Sequence, residues 1–394
     1  MRRLTTALGL PQHRFASIHV VGTNGKSSVT RMTAALLEAH GLKTGAIVSP
    51  HTERWSQRTL VGGFELDEAA WAGALEQVSQ AAEGVNRTLE EGDAVTQFEA
   101  ATAASFVALA NARVAVAVVE AGLGGRLDAT NTIPSKVSVL TSIGLDHIEW
   151  LGETEVEIAA EKLAVLRDQT TLVLGEVSPE VEALAAETAE ERGARLLPAP
   201  TDPGPGVWMR TPGVFQRRNF AIACTAAEAF MGRLDYDLAV QVAATVTVPG
   251  RLESIAERPP TYIDAAHNPA GAAALAESLP AVAGRRRVVG CLAVLNDKDA
   301  AAMIEALAPV LDQVVCTELP IAALEGLGRF DTWSRSASEL AVACEAAGLS
   351  AEVEPDFVAG LRRAWELAAE APEGLLLITG SHYAIAPARA VLET

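Results

Sequence analysis

Residues 18–30 read Ile-His-Val-Val-Gly-Thr-Asn-Gly-Lys-Ser-Ser-Val-Thr, the composition of a phosphate-binding turn. Glycines at 22 and 25 let successive backbone N–H groups converge on anionic oxygens. A helix beginning near Ser27 adds the partial positive charge of its N-terminus. Lys26 can then reach the β and γ phosphates of a nucleotide, with Ser27 or Ser28 facing a Mg²⁺ ion. The loop is shorter than the Walker pattern G-x-x-x-x-G-K-[ST], because only Thr23 and Asn24 separate its glycines. The plainer alternative is a tight turn with a solvated lysine.

Three further stretches carry chemistry of the same kind. In Val116–Asn131 (VAVVEAGLGGRLDATN) Glu120 ends an apolar run. A carboxylate at the carboxyl edge of a parallel sheet points into the ligand crevice, and hard oxygen ligands there suit Mg²⁺. In Thr141–Glu149 (TSIGLDHIE) Asp146 and His147 follow a second such run. A lone histidine is usually structural, but one following an acid at that edge is a candidate second-metal ligand. Ser49-Pro50-His51 ends a third run. The competing reading of Glu120 is a cap on the following turn.

These residues need strands to carry them. Ile18–Val21, Gly45–Val48, Val114–Val119, Val137–Leu140 and Thr171–Leu174 are short, β-branched and free of alternation, as parallel strands covered on both faces should be. Helical patterns lie between them at Ser27–His40, Thr96–Ala110, Thr154–Arg167 and Pro179–Arg192, the first stopped by Gly41. Proline and glycine crowd residues 198–213, and helices are expected at Arg217–Phe230 and Leu238–Thr245. Past Val248-Pro249-Gly250 the alternation restarts, with strands expected at Thr261–Ala265, Val288–Leu292, Gln313–Thr317, Ala351–Val353 and Leu375–Thr379. The expectation is an α/β chain of two domains. The first, 1–248, is a phosphate-loop nucleotide-binding parallel sheet; the second, 249–394, is a smaller Rossmann-like α/β domain.

Composition agrees. A chain of 394 residues exceeds the size at which single cores stop growing. A net charge of −19 argues against a broad nucleic-acid footprint, so anionic ligands must be held by local groups. No apolar run is long enough to span a membrane, and the basic start lacks an apolar leader segment, so a soluble cytoplasmic protein is expected. Cys224, Cys291, Cys316 and Cys344 form no C-x-x-C pair and read as small buried hydrophobes.

Taken together, the motifs resemble the folylpolyglutamate synthase/dihydrofolate synthase family of the Mur-ligase superfamily. The matches are GTNGKSS at 22–28, SPH at 49–51, EAGLGGRLDATN at 120–131, GLDH at 144–147 and EK at 161–162. PGRLE at 249–253, DAAHNPAG at 264–271 and TGSHY at 379–383 follow in family order. LGGRLDATN is the most specific to the folate branch. One departure is Ser27, where that branch usually has glycine; Lys-Ser-Ser looks more like the cell-wall Mur ligases. The segment before the loop is also short.

The resemblance implies roles by position. Gly22, Thr23, Asn24, Gly25, Lys26, Ser27 and Ser28 would cradle the ATP phosphates, with Lys26 catalytic at the β/γ end. Ser49 and Glu120 would hold one Mg²⁺, and Glu120 with His147 a second. Lys162 aligns with a lysine carbamylated in relatives; on sequence alone it is a helix salt-bridge residue, though no acid stands at i−4. Asn219, Arg251, Asp264 and His267 would clamp the nucleotide on domain closure, Arg251 at phosphate and Asp264 at the ribose. The plainer role for Asp264 is a helix N-cap. His267, also assigned to catalysis, and Ser381 would lie near the incoming glutamate. The segment 51–63, with His51, Arg54, Trp55 and Arg58, would seat a pteridine rather than form a solvated loop.

The implied reaction is ATP-dependent amide formation. A substrate carboxylate takes the γ-phosphoryl group, and the α-amine of L-glutamate displaces phosphate from the acyl phosphate. Dihydropteroate or a reduced folate is the expected acid, in a monomer that binds neither nucleic acid nor membrane and hinges at Pro249–Gly250. Two alternatives compete: a Mur-type ligase acting on another carboxylic acid, and a nucleotide-switch module without ligase chemistry. The second predicts loss of Glu120, His147, Arg251 or Asp264, and all four are present.

Overall fold

In the computed structural model, described for residues 1–51, 53–324 and 332–392, the chain forms two compact units. One comprises residues 1–210 and 217–246, the other 211–216 and 247–394. Among the described residues the first unit is built on eight strands: β1 (Ala16–Val21), β2 (Thr44–Ile47), β3 (Thr59–Val61), β4 (Phe64–Glu65), β5 (Val116–Glu120), β6 (Val137–Leu140), β7 (Thr171–Leu174) and β8 (Arg195–Pro198). Their order is β4-β3-β2-β5-β1-β6-β7-β8. Every pair from β2 to β8 is parallel, and only the β3 and β4 pairings are antiparallel. The five apolar runs are thus the centre of one sheet, buried throughout β2, β5 and β6 because helices cover both faces.

The order places β1 between β5 and β6, with Val20 opposite Glu120 and Val21 opposite Leu140. The phosphate turn, Glu120 and the segment carrying Asp146 therefore leave the sheet at adjacent carboxyl ends, where an open α/β sheet binds its ligand. Glu120 is itself the last residue of β5.

The helices differ from expectation mainly at their ends. Thr96 and Thr154 each cap a helix through a Thr-x-x-Glu box, closed by Glu99 and Glu157, and the helices run Gln97–Asn111 and Glu155–Leu163. The second stops four residues short of Arg167, whose guanidinium instead holds carbonyl oxygens of Asn131 and Ile133. The β3–β4 hairpin and the helix Glu68–Asn86 were not anticipated.

The second unit has, among the described residues, a six-stranded sheet: β9 (Glu253–Glu257), β10 (Pro260–Ile263), β11 (Arg287–Leu292), β12 (Gln313–Cys316), β13 (Ser350–Val353) and β14 (Gly374–Thr379). Its order is β13-β12-β11-β14-β10-β9, parallel except for β9. Two buried apolar layers cover it, one around Leu275, Met303 and Leu340, the other around Leu361, Ala364 and Ile385. The architecture is a two-domain α/β fold, and no helix among the described residues is long and apolar enough to cross a membrane.

Candidate active site

The turn after β1 has the shape its glycines foretold. Gly22 and Gly25 adopt φ of +150° and +83°. A Cβ on Gly22 would lie 2.0 Å from Thr141 Oγ1, and one on Gly25 would lie 2.5 Å from Asn219 Oδ1. Both positions are closed to any side chain. The turn is laced to the end of β6: Thr23 Oγ1 donates to Gly144 O at 3.1 Å, and Thr141 Oγ1 donates to Asn24 O at 2.6 Å. Gly25 is the N-cap of the helix Lys26–Ala39, so the first N–H groups of that helix open at the turn. Ser28 is buried there, and among the described residues its hydroxyl has no hydrogen-bond partner. Lys26 Nζ folds back onto the carbonyls of Gly22 and Thr23, 3.0 Å from each.

Glu120 stands beside this turn, only 2% exposed. Its Oε1 accepts from Ser27 Oγ at 2.9 Å and its Oε2 from the Ser49 N–H at 2.9 Å. The carboxylate thus faces the loop instead of capping the turn that follows it. Ser27 Oγ also lies 3.2 Å from Ser49 O. Ser27, the residue after the loop lysine, thus donates its hydroxyl directly to the carboxylate. These oxygens suit a hard divalent cation and, with the buried Ser28 hydroxyl and the helix N-terminus, fit a magnesium nucleotide.

Lys162 is 4% exposed in the last turn of the helix Glu155–Leu163. A surface salt bridge is ruled out for it: Glu157 is spent on the Thr154 cap, Glu161 pairs with Arg126, and among the described residues no carboxylate lies within ion-pair distance of its Nζ. Burial, reinforced by the charge of Lys26, lowers its pKa to about 7, against the pull of Asp146, Asp128 and Glu161. Lys26, Lys162 and Asp146 thus share one electrostatic neighbourhood. His147 sits at a left-handed position, φ +52°, its Nε2 3.9 Å from Asp146 Oδ1. No group of three or more His, Cys, Asp or Glu side chains gathers into a metal cage among the described residues.

The four residues expected to seat a heterocycle divide. His51, Trp55 and Arg58 form one cluster: Arg58 Nε donates to His51 Nδ1 at 2.9 Å, its guanidinium lies 4.2 Å from the Trp55 ring centroid, and the His51 and Trp55 rings are 4.6 Å apart. Burial and the Arg58 charge bring the His51 pKa down to about 4, leaving it a neutral acceptor. Arg54 is turned away toward Glu68, at 2.8 Å, and Glu65. Thr52 lies outside the described residues. Phe98 was missed by sequence reading. Arg58 lies 5.8 Å from its ring, a Cβ on Gly122 would meet it at 2.5 Å, and it lines a recess with Ser49, Arg58, Thr102, Glu120 and Thr130. The signal available was the unpaired aromatic in the first turn of an otherwise Ala-rich helix.

Asn219 belongs to the first unit and packs on the phosphate turn at Gly25. The remaining expected residues lie in the second unit: Arg251 just before β9, Asp264 and His267 after β10, and Ser381 after β14. Asp264 follows β10, but the N-cap of the next helix is Asn268, so the capping role for Asp264 is not realised. Its two oxygens accept from the N–H groups of Leu252 and Ala266 at 2.7 and 2.8 Å, fixing the backbone beside Arg251. Burial pushes its carboxyl up, while Arg251 and those N–H groups pull it down. His267 Nδ1 lies 2.9 Å from Ala265 O, and Ser381 Oγ accepts from the Tyr383 N–H just past β14. Lys298, a buried cation past the end of β11 beside Asp297, was also missed. Its signal was an Asn-Asp-Lys-Asp run directly after an apolar strand.

Comparison with known proteins now has geometry to rest on. The Mur ligase middle domain model matches residues 20–196, and the Mur ligase glutamate ligase domain model matches 250–382. A dihydrofolate synthase/folylpolyglutamate synthase of Mycobacterium tuberculosis is 37% identical over 357 residues, spanning 80% of this chain and 72% of that one. The chain belongs to the dihydrofolate synthase/folylpolyglutamate synthase family. The structure of Mycobacterium tuberculosis folylpolyglutamate synthase complexed with ADP and AMPPCP matches with a TM-score of 0.90 and 33% identity, over 100% of this chain and 94% of that one. A bifunctional folylpolyglutamate synthase/dihydrofolate synthase with Mn, AMPPNP and L-glutamate bound matches with a TM-score of 0.81 and 27% identity, over 100% and 94%. In this member of the family Ser27, the residue after the loop lysine, engages Glu120.

Proposed function

We propose that this chain uses ATP to join L-glutamate to the carboxylate of dihydropteroate or a reduced folate. As a family member it is an ATP-dependent acid–amino-acid ligase, and the acceptor class follows from its relatives and the His51–Trp55–Arg58–Phe98 cluster. The observation that carries the reading is Glu120, hydrogen-bonded to Ser27 and to Ser49 N–H over a helix N-terminus, with Lys162 buried in the same field.

Amide formation from a free carboxylate is uphill in water, so the carboxylate must first be activated. The substrate carboxylate attacks the γ-phosphoryl group, forming an acyl phosphate and releasing ADP. The uncharged α-amine of glutamate then attacks the acyl carbon, phosphate leaves, and the amine proton passes to solvent or a nearby base. The residues act by positioning and charge. The turn Gly22–Ser28 orients the polyphosphate, and Lys26 swings from its loop carbonyls to the β/γ end. Glu120 and Ser49 would hold one Mg²⁺ and Glu120 with His147 a second, and the ions would supply positive charge against the polyphosphate. Arg251, braced by Asp264, meets nucleotide phosphate, while Lys298, His267 and Ser381 receive glutamate. The aromatic and guanidinium faces of Trp55, Phe98 and Arg58 suit a flat, partly charged heterocycle.

Lys162 has its own step. An amine with a pKa near 7 is substantially neutral at working pH. It can add to CO₂ and lose a proton, giving a carbamate that turns a cation into an anion facing Lys26. Incubating the protein with Mg·ATP, glutamate and either dihydropteroate or tetrahydrofolate, then weighing the products, tests the whole proposal. A product one glutamyl residue heavier is expected. ADP formation with another carboxylic acid, and none with either pteroyl compound, would shift the acceptor to the Mur-type alternative that Ser27 favours.

A further inference from the structure

His19 lies outside everything so far assigned to the reaction. It sits in the middle of β1, fully buried, opposite Val119 on one side and Ser138 on the other. An apolar side chain would fill this position without the cost of taking ring nitrogens out of water. Its Nε2 lies 2.8 Å from Thr130 Oγ1, and its Nδ1 has no hydrogen-bond partner among the described residues. Thr130 Oγ1 donates in turn to Asp128 Oδ1, and the Thr130 N–H reaches the same oxygen at 2.9 Å. The other oxygen, Asp128 Oδ2, accepts from the N–H groups of Gly122 and Leu123, both at 2.9 Å. A hydroxyl has one proton, and here the carboxylate takes it. Thr130 can therefore only accept from the imidazole, which fixes the Nε2–H tautomer of His19. Burial, aided by the Arg167 charge, brings the His19 pKa to about 3, so the ring stays neutral and in that tautomer.

The chain of bonds thus runs from the centre of β1 to the turn that starts two residues after Glu120. The same turn is fixed at its far end. Gly125 is packed so tightly that a Cβ there would lie 2.7 Å from the carbonyl oxygens of Glu161 and Lys162, and the Arg126 N–H donates to Glu161 O at 3.1 Å. We propose, resting on the ligase reading above, that His19 and Thr130 are positioning residues that act through Asp128 to set the Glu120 carboxylate for its metal. Thr130 also lines the recess beside Phe98 and Arg58, but its hydroxyl is committed to Asp128 and His19.

The test reads metal binding without turnover. Mn²⁺ is titrated into the full chain saturated with AMPPCP, and the free ion is counted by electron paramagnetic resonance. Thr130→Val and His19→Leu are expected to weaken Mn²⁺ retention about tenfold or more, whereas AMPPCP binding without metal moves less than about twofold. Thr130→Ser, which restores the hydroxyl, is expected to retain Mn²⁺ like the parent chain. Should His19→Leu fail to fold, Thr130→Val, a hydroxyl-to-methyl exchange, decides alone, with its melting temperature measured alongside. Unchanged Mn²⁺ retention in Thr130→Val, or equal loss in Thr130→Ser, overturns the proposal; so does Mn²⁺ retention indifferent to Glu120→Gln. Absence of glutamyl product from the parent chain counts against the ligase reading alone, because Mn²⁺ retention is measured without it.

Discussion

At the scale of single residues, three side chains have roles that separate in experiment. Lys26 Nζ rests on two loop carbonyls, and on the proposed reading it turns from them to phosphate oxygens. Lys26→Ala should lower kcat by roughly a hundredfold or more with the fold intact, the scale seen when one charge-stabilising donor is removed. Steady-state ADP formation checks it, and near-parental kcat would remove the phosphate-loop assignment. Lys162 should be carbamylated, and the sign of its pH dependence follows from its lowered pKa. Above about pH 7 the amine is neutral and adds CO₂; below it protonation wins and the carbamate is lost. A carbamate signal from ¹³C-bicarbonate that grows from pH 6 to 8 and vanishes in Lys162→Ala is the expected outcome. A signal of constant size would show that ionisation of Lys162 does not control it. Ser27→Ala should weaken metal dependence more than Ser27→Gly does, because the family's glycine leaves room for a water to take the place of the hydroxyl at Glu120 Oε1.

Elements explain why these side chains are where they are, and where the sequence was silent. The five apolar runs of the first unit were legible because parallel strands covered on both faces admit little but β-branched residues; their order was not, since β1 lies between β5 and β6 and not beside β2. Helix starts were legible through Thr96 and Thr154, whose caps have a fixed spacing to Glu99 and Glu157. One helix end was not: Glu155–Leu163 stops where Arg167 is drawn to the carbonyls of Asn131 and Ile133, a tertiary contact no local pattern announces. The recess suffered in the same way. Arg54 and Arg58 are four residues apart and look alike, yet Arg54 is claimed by acids at 65 and 68, while Arg58 stacks on Trp55 and reaches Phe98, forty residues on. A test at this scale uses Gly125, whose missing side chain lets the LGGRLDATN turn lie against the backbone of Lys162. Gly125→Ala should lower the melting temperature and displace Lys162, since a Cβ would meet carbonyl oxygens at 2.7 Å. At a closed backbone contact a loss of about 1–3 kcal/mol is expected. A chain as stable as the parent would mean that the turn can move off the helix freely.

Over the whole molecule, the net charge of −19 is a reason for the site to be built as it is. ATP, glutamate and pteroyl carboxylates are all anions, and an acidic chain gives them no general attraction, so each must be met by a cation placed locally. The first unit places Lys26 and Arg58; the second places Arg251 beside its braced aspartate and Lys298 past β11. This division predicts a division of kinetics. Lys298 is a buried cation, and on the proposed reading removing it should cost a carboxylate ligand a charge-assisted bond. Lys298→Met, which keeps most of the side chain's bulk, should raise the KM for glutamate about tenfold or more, as loss of a hydrogen bond to a charged group does, and leave the KM for ATP within about twofold. Arg58→Met should show the mirror pattern, raising the KM for the pteroyl acceptor and sparing that for glutamate. Measuring all three KM values in both variants separates the outcomes. If Lys298→Met instead raises the KM for ATP, the second unit's cation serves the nucleotide, and glutamate must be recognised by His267, Ser381 and their neighbours without it.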